Sequence, residues 1–186
     1  MSRAVFLDRD GVINRKAPEG GYITSWEEMQ FLPRVAEAIA RINRAGLLAI
    51  VASNQRCVAK GLISEAGLQS LHERMRQELA AAGARIDHIY YCPHELKARC
   101  NCRKPAPGML LAAAREHGID LPHSWMVGDS DLDIDAGRNA GCKTALVKGR
   151  EVGDNHGADL VSGSLFEAAE QILKMIEAEC ELSSRP

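Results

Sequence analysis

The chain has 186 residues, a formal net charge of −2, 46% hydrophobic and 4% aromatic residues. This length fits a single domain over 1–186 with a sizeable core. The near-neutral balance excludes a polybasic surface for nucleic acid or anionic lipid, and the few aromatics exclude a base-stacking platform. The longest apolar stretch, Ala45 to Ala52, falls far short of the roughly 20 residues of a membrane helix. Met1 to Asp8 carries one positive charge and an apolar run cut off by an aspartate, which is not the pattern of a signal peptide. A cytoplasmic chain with no membrane and no nucleic-acid partner is therefore expected, and a monomer.

In chain order, Val5-Phe6-Leu7 reads as a buried strand ending at Asp8. A helix opens at Pro33, with Val35, Ala36, Ile39, Ala40 and Ile42 at helical spacing, and stops before Gly46. Leu47 to Ala52 predicts a second strand. Ser64 caps a long helix reaching about Ala82, with Leu68, Leu71, Met75 and Leu79 on its apolar side and Gly83 as its stop. A third strand covers Ile86 to Tyr91, and a helix runs from Pro107 to His117. Ser124 to Val127 is a strand, Leu132 to Ala140 a helix, Lys143 to Val147 a strand and Asp159 to Val161 a short strand. A helix from Leu165 to about Ala178 closes the chain before a frayed tail, Ser183 to Pro186. Strands alternating with helices predict an α/β, Rossmann-like parallel sheet covered on both faces. In such sheets ligands bind beyond the carboxyl ends of the strands.

Three polar clusters fall at those ends: Asp8-Arg9-Asp10-Gly11, Ser53-Asn54-Gln55 and Gly128-Asp129-Ser130-Asp131. Asp8, Asp10 and Asp129 form a carboxylate set suited to Mg²⁺, which prefers oxygen ligands. Gly11 lets the backbone turn tightly, so that amides near Arg9 and Asp10 can face a phosphoryl oxygen. Ser53 offers a hydroxyl and Lys104 a positive charge to the same group. Together these are a nucleophile, a proton donor, a metal site and charge compensation, the parts of a phosphoryl-transfer site. A second cluster, Cys92-Pro93-His94 followed by Cys100-Asn101-Cys102, supplies three thiols and one imidazole for tetrahedral Zn²⁺ in a closed structural site. Its spacing is shorter than in common zinc fingers. Arg103-Lys104-Pro105 follows directly, so zinc would fix the loop that delivers Lys104. Cys57, Cys142 and Cys180 read as packing or surface residues.

The order apolar strand–DRDG, apolar strand–SNQ, Lys-Pro, apolar strand–GDSDLD resembles the haloacid-dehalogenase superfamily phosphatases over essentially the whole chain. The resemblance implies a capless haloacid-dehalogenase-like fold. It implies that Asp8 attacks phosphorus to form an aspartyl-phosphate, that Asp10 protonates the leaving alcohol and then activates water, and that Ser53 and Lys104 hold the transferring phosphoryl. Asp8, the backbone carbonyl of Asp10, and Asp129 would hold Mg²⁺, with Asp133 as a supporting residue orienting Lys104 or a metal-bound water. The C-x-H and C-x-C-R-K-P segments are similar to the zinc-loop subgroup, whose members act on heptose bisphosphate or on histidinol phosphate. Gly21-Tyr22-Ile23, Phe31-Leu32-Pro33, Asn54-Gln55 and Ala59-Lys60-Gly61 look more like the heptose enzymes. The implied activity is removal of the 7-phosphate of D-glycero-D-manno-heptose 1,7-bisphosphate. Histidinol phosphate or another small metabolite is the alternative. Tyr22, Asn54, Gln55, Arg56, Arg103 and Ser130 are the expected substrate contacts. Arg56 stands where the pattern has a small residue, and Lys60 where it has Arg. Only about forty residues separate the first two motifs, which leaves no room for a large cap domain.

Overall fold

The computed structural model describes residues 1–148 and 155–183. Of the expected frayed tail, Ser183 to Pro186, residues 184–186 lie outside them and Ser183 ends the last helix, and the side chain of Cys180 also lies outside them. Among the described residues, six strands form one parallel sheet in the order β3-β2-β1-β4-β5-β6. They are β1 (Ala4–Leu7), β2 (Leu48–Asn54), β3 (His88–Cys92), β4 (Trp125–Gly128), β5 (Lys143–Val147) and β6 (Leu160–Ser162). The helices are α1 (Val35–Arg44), α2 (Glu65–Ala81), α3 (Gly108–His117), α4 (Asp131–Ala140) and α5 (Leu165–Ser183).

β1 is buried along its whole length, which is why it reads as an uninterrupted apolar run. Its side chains divide between two cores. Val5 and Leu7 join a cluster with Ile39 and Ile42 of α1, Met75 and Leu79 of α2, and Ala169 and Ile172 of α5. Ala4 and Phe6 join Met109, Leu110 and Ala113 of α3 on the opposite face. Helices therefore cover both faces, as the alternation predicts.

The ends differ from the sequence expectation where side chains replace ladder bonds. Ser53 and Asn54 are the last residues of β2, not the turn beyond it. Ser124 stops short of β4 because its hydroxyl accepts from the Ala4 amide at 3.0 Å and donates to the Asp120 carbonyl at 2.6 Å. Asp87 precedes β3, its carboxylate accepting from the Ala49 amide at 2.8 Å. Asp159 does the same for Thr144 before β6. α5 runs five residues further than expected, to Ser183. α1 begins at Val35, two residues after Pro33, because Arg34 at its N-cap is left-handed, with φ of 60°. Two short 3-10 turns, Leu96–Ala98 and Leu121–His123, carry no periodicity to read.

The chain passes from β1 outward to β2 and β3, then returns to β4 on the other side of β1. The carboxyl ends of β1 and β4 thus flank a crossover point, where open parallel sheets leave a crevice. α4 packs tightly enough to fix that crevice. A Cβ on Gly137 would lie 2.7 Å from both Met126 Cβ and Thr144 Cγ2. Gly137→Ala is expected to lower stability by about 1–2 kcal/mol, because overpacking outweighs the roughly 1 kcal/mol that alanine gains in a helix. Urea unfolding with an unchanged m-value and a lower midpoint is the expected result. A raised midpoint would show that the helix has room to move.

Candidate active site

Asp8 is the first residue after β1, and its amide closes on the Val127 carbonyl at 2.9 Å, tying it to β4. Lys104 Nζ donates to Asp8 Oδ1 at 2.7 Å and to the Ala52 carbonyl at 2.8 Å. It also lies 2.5 Å from Asp133 Oδ1 as an ion pair. Asp8, Lys104 and Asp133 are all buried. Burial pushes the Asp8 carboxyl up to about 7. Lys104 pulls the other way, and Asp133 and Asp10 add to the rise. The two carboxylates hold the Lys104 ammonium above its ordinary range although burial opposes this. The site is thus short of positive charge on the carboxylate side.

Asp129 follows β4 and lies with Asp8 and Asp133 so that one carboxylate oxygen from each falls within 4.8 Å of the others. Burial raises the Asp129 carboxyl, while Lys16 opposes the shift from 2.6 Å away. Three crowded carboxyl groups and an oxygen-only donor set fit a hard divalent cation. Gly11 makes the approach possible. Its φ is 97°, and a Cβ there would lie 1.8 Å from Asp129 Oδ2. The Gly11 amide is used within the turn, donating to the Asn14 carbonyl at 2.7 Å.

Asp10 is gripped from three sides. Arg9 donates to both its oxygens at 2.9–3.2 Å, Asn14 Nδ2 to Oδ1 at 2.8 Å, and Gln55 Nε2 to Oδ2 at 2.9 Å. Burial acts to raise this carboxyl, but the Arg9 charge and the Asn14 and Gln55 bonds hold it below the usual carboxylate range.

Several of the expected substrate contacts have hydrogen-bond partners within the frame. Asn54 uses its whole amide on the Lys104 backbone, accepting from the amide at 3.1 Å and donating to the carbonyl at 3.2 Å. Gln55 bridges Ser53 Oγ and Asp10, each at 2.9 Å. Ser130 caps α4, its hydroxyl donating to Asp133 Oδ2 at 2.5 Å. Asp133 Oδ2 also accepts from the amides of Asp129 and Ser130 at 3.2 and 3.1 Å, so one carboxylate caps a helix and holds Lys104. Arg56 is paired with Glu95 at 2.8 Å. Tyr22 is half-buried, with the Lys60 ammonium 5.1 Å from its ring centre. Arg103 reaches the His94 carbonyl at 3.4 Å. Tyr22 also lines a cavity of about 440 Å³ with Arg15 and Lys16. Arg103 lines another of about 350 Å³ with Lys104, Arg99 and Leu132.

The loop after β3 gathers Cys92, His94, Cys100 and Cys102. Separations are 3.5 Å for Cys92 Sγ to His94 Nδ1, 3.6 Å for Cys92 Sγ to Cys100 Sγ, and 3.2 Å for His94 Nδ1 to Cys102 Sγ. Tetrahedral zinc with thiolates at ~2.3 Å gives sulfur–sulfur edges of about 3.8 Å, so this cluster fits. Cys57 and Cys142 are buried and outside it.

Two site residues escaped the motif reading. Arg9 is fully buried behind Asp10, and Lys16 crosses to Asp129. A cation between two acids at a strand exit is the signal for Arg9. Lys16 lies in an ordinary polar loop and gives none.

A parallel sheet with an Asp–Lys–Asp core at its crossover point defines a haloacid-dehalogenase-like hydrolase, and a HAD-hydrolase-like family model matches residues 101–159. A D-glycero-beta-D-manno-heptose-1,7-bisphosphate 7-phosphatase of Pseudomonas aeruginosa is 41% identical over 89% of this chain and 93% of its own length. A D-glycero-D-manno-heptose-1,7-bisphosphate 7-phosphatase of Thermosynechococcus vestitus is 45% identical over 78% of each chain. The crystal structure of a D,D-heptose 1,7-bisphosphate phosphatase from B. bronchiseptica, complexed with magnesium and phosphate, aligns with a TM-score of 0.84 at 37% identity, covering 93% of this chain and 99% of that one. The chain belongs to the D-glycero-D-manno-heptose-1,7-bisphosphate 7-phosphatase family.

The grip on Asp10 has a consequence for stability. Arg9 NH1 lies 3.2 Å from His72 Nε2. Burial, reinforced by the Arg9 charge, pushes His72 down to about 3. Its unfolded value is about 6.5, so between the two the unfolded chain binds a proton that the native state does not. His72 therefore costs stability progressively as pH falls from about 6.5 toward 3. His72→Gln should gain on the wild type between pH 7 and pH 4.5 in urea unfolding. A stability difference that stays constant with pH would exclude a neutral His72.

Proposed function

We propose that this chain is a Mg²⁺-dependent phosphatase that removes the 7-phosphate of D-glycero-D-manno-heptose 1,7-bisphosphate. The observation that carries the chemistry is the buried Asp8–Lys104–Asp133 array beside Asp129. The substrate rests on the relatives' activity. The whole chain, 1–186, acts as one phosphatase domain, and we infer a cytoplasmic monomer. No helix among the described residues is long and apolar enough to cross a membrane. The near-neutral charge gives no surface for nucleic acid.

Asp8 is the nucleophile. One of its oxygens bonds to phosphorus as the P–O bond to the sugar breaks, giving an aspartyl-phosphate. Lys104, held by Asp133, and Ser53 hold the phosphoryl oxygens. Asp10, carrying a proton, gives it to the departing sugar oxygen and becomes a carboxylate. It then takes a proton from the water that attacks phosphorus, and the Asp8–phosphorus bond breaks to release inorganic phosphate. The grip of Arg9, Asn14 and Gln55 favours the carboxylate that this second half requires. Asp8, Asp129 and the Asp10 carbonyl would hold magnesium, which would supply the positive charge that lets an anionic nucleophile approach an anionic phosphate. Asn54, Gln55 and Ser130 position the machinery, leaving Tyr22, Arg103 and the Arg56 turn to face the sugar. Cys92, His94, Cys100 and Cys102 would hold zinc, which would fix the loop that carries Lys104.

Phosphate release with Mg²⁺ should be fastest on a heptose 1,7-bisphosphate anomer and slower on histidinol phosphate. A preference for histidinol phosphate would move the substrate to the alternative and leave the mechanism intact. Asp8→Asn should lose at least about a thousandfold in kcat while remaining folded. Retained turnover would remove Asp8 as nucleophile. Cys100→Ser should lower bound zinc and the melting temperature together, since metal binding is coupled to folding. An unchanged zinc content would exclude Cys100 as a ligand.

A further inference from the structure

His72 lies on α2, buried, and belongs to none of the motifs. Its Nε2 is 3.2 Å from Arg9 NH1. A guanidinium has donors and no acceptor, so Nε2 must present its lone pair, and the ring proton sits on Nδ1. The Arg9 side chain is 0% exposed and carries its charge in the interior. Its Nε and NH2 go to Asp10, and NH2 also points to the Ile23 carbonyl at 3.4 Å. Among the described residues, NH1 has His72 as its hydrogen-bond partner. The imidazole is itself held edge-on by Tyr91 of β3, with ring centres 5.6 Å apart and planes at 62°. A chain of contacts thus runs from the edge strand through α2 and Arg9 to the carboxylate of Asp10.

We propose that His72 is a positioning residue: its neutral ring anchors the Arg9 guanidinium, which in turn orients Asp10 for proton transfer to the leaving sugar oxygen. This rests on the reading of Asp10 as the proton donor. An apolar side chain of similar size would fill the space, but it would leave NH1 a buried donor without an acceptor. The guanidinium would then turn to find one, carrying the Asp10 carboxyl with it. Sub-ångström placement matters at this point because general acid catalysis works only within hydrogen-bond reach of the departing oxygen.

The test compares His72→Leu with His72→Gln, which keeps an acceptor, on two leaving groups. kcat/KM reports the step in which the leaving group departs. A sugar alkoxide needs the Asp10 proton, whereas the p-nitrophenolate of p-nitrophenyl phosphate leaves without one. His72→Leu should lose about tenfold or more on the heptose bisphosphate and less than about threefold on the aryl ester, a fraction of the 10²–10⁴ that general acid catalysis supplies. His72→Gln should recover most of the loss. Equal losses on the two substrates, or no recovery with Gln, would overturn the proposal and leave His72 a packing residue. Should the Leu variant not fold, ¹⁵N-histidine NMR of the wild type decides instead. An unprotonated Nε2 at neutral pH is required, and a proton on Nε2 excludes the anchor. Should the wild type prefer another alkyl phosphate, the same comparison is made with that ester. The substrate assignment would then fail without touching the role of His72.

Discussion

A single ammonium group, Lys104 Nζ, sits between two carboxylates with 3% of its side chain exposed, and much of the structure serves to keep it there. An unpaired charge at that depth is prohibitively costly, and so are two unpaired carboxylates. The three groups therefore stand or fall together. Asp8 comes from the end of β1 and Asp133 from the first turn of α4. Lys104 comes from the loop between β3 and α3. No two are neighbours in sequence, so the triad forms only once the sheet order has been reached.

Several devices hold the Lys104 loop in register. Asn54 at the end of β2 clamps its backbone from both sides. Asn139 of α4 donates to the Pro105 carbonyl at 3.0 Å. Gly108 lies against the Asn101 carbonyl, where a Cβ would be 2.1 Å away. The Cys92–Cys102 cluster ties the loop's origin to its end. The turn after β2 joins the same assembly, with the Gln55 and Ala59 amides bonded to the Cys92 and Pro93 carbonyls at 2.8 and 3.2 Å. A loop long enough to wander is in this way reduced to one conformation, which is what a charge-stabilising lysine requires.

Asp10 is held by a separate network. Its neighbours Arg9, Asn14 and Gln55 form a collar of donors. The two aspartates of the DRD sequence, two residues apart, thus have opposite environments: Asp8 is raised by burial and Asp10 is lowered by Arg9 and its hydrogen bonds. Lys16 adds a mobile-length side chain at the mouth of the site, half exposed and paired with Asp129.

The strands and helices were legible in the sequence, because short apolar runs alternate with 3.6-period segments and α1 to α4 each stop at or just before a glycine, as Gly118 and Gly141 show. Asp8, Asp10 and Asp129 were legible as chemistry because charged residues at the ends of buried strands have no packing reason to be there, whereas Lys104 lies in the β3–α3 loop and Asp133 in α4, and Asp133 was singled out only by the family resemblance. The Cys–His cluster declared itself through four soft donors within eleven positions. What only the tertiary structure decided was the use of each polar side chain. Asn54, Gln55 and Ser130 stand beside the reacting groups in sequence, yet their hydrogen bonds are spent on Lys104, Asp10 and Asp133. Arg9 and His72 lie 63 residues apart and meet at 3.2 Å. Spacing along a strand fixes where a side chain emerges, but which acceptor a donor finds depends on the elements packed beside it. That is settled only when the interior closes and every buried polar group must be paired.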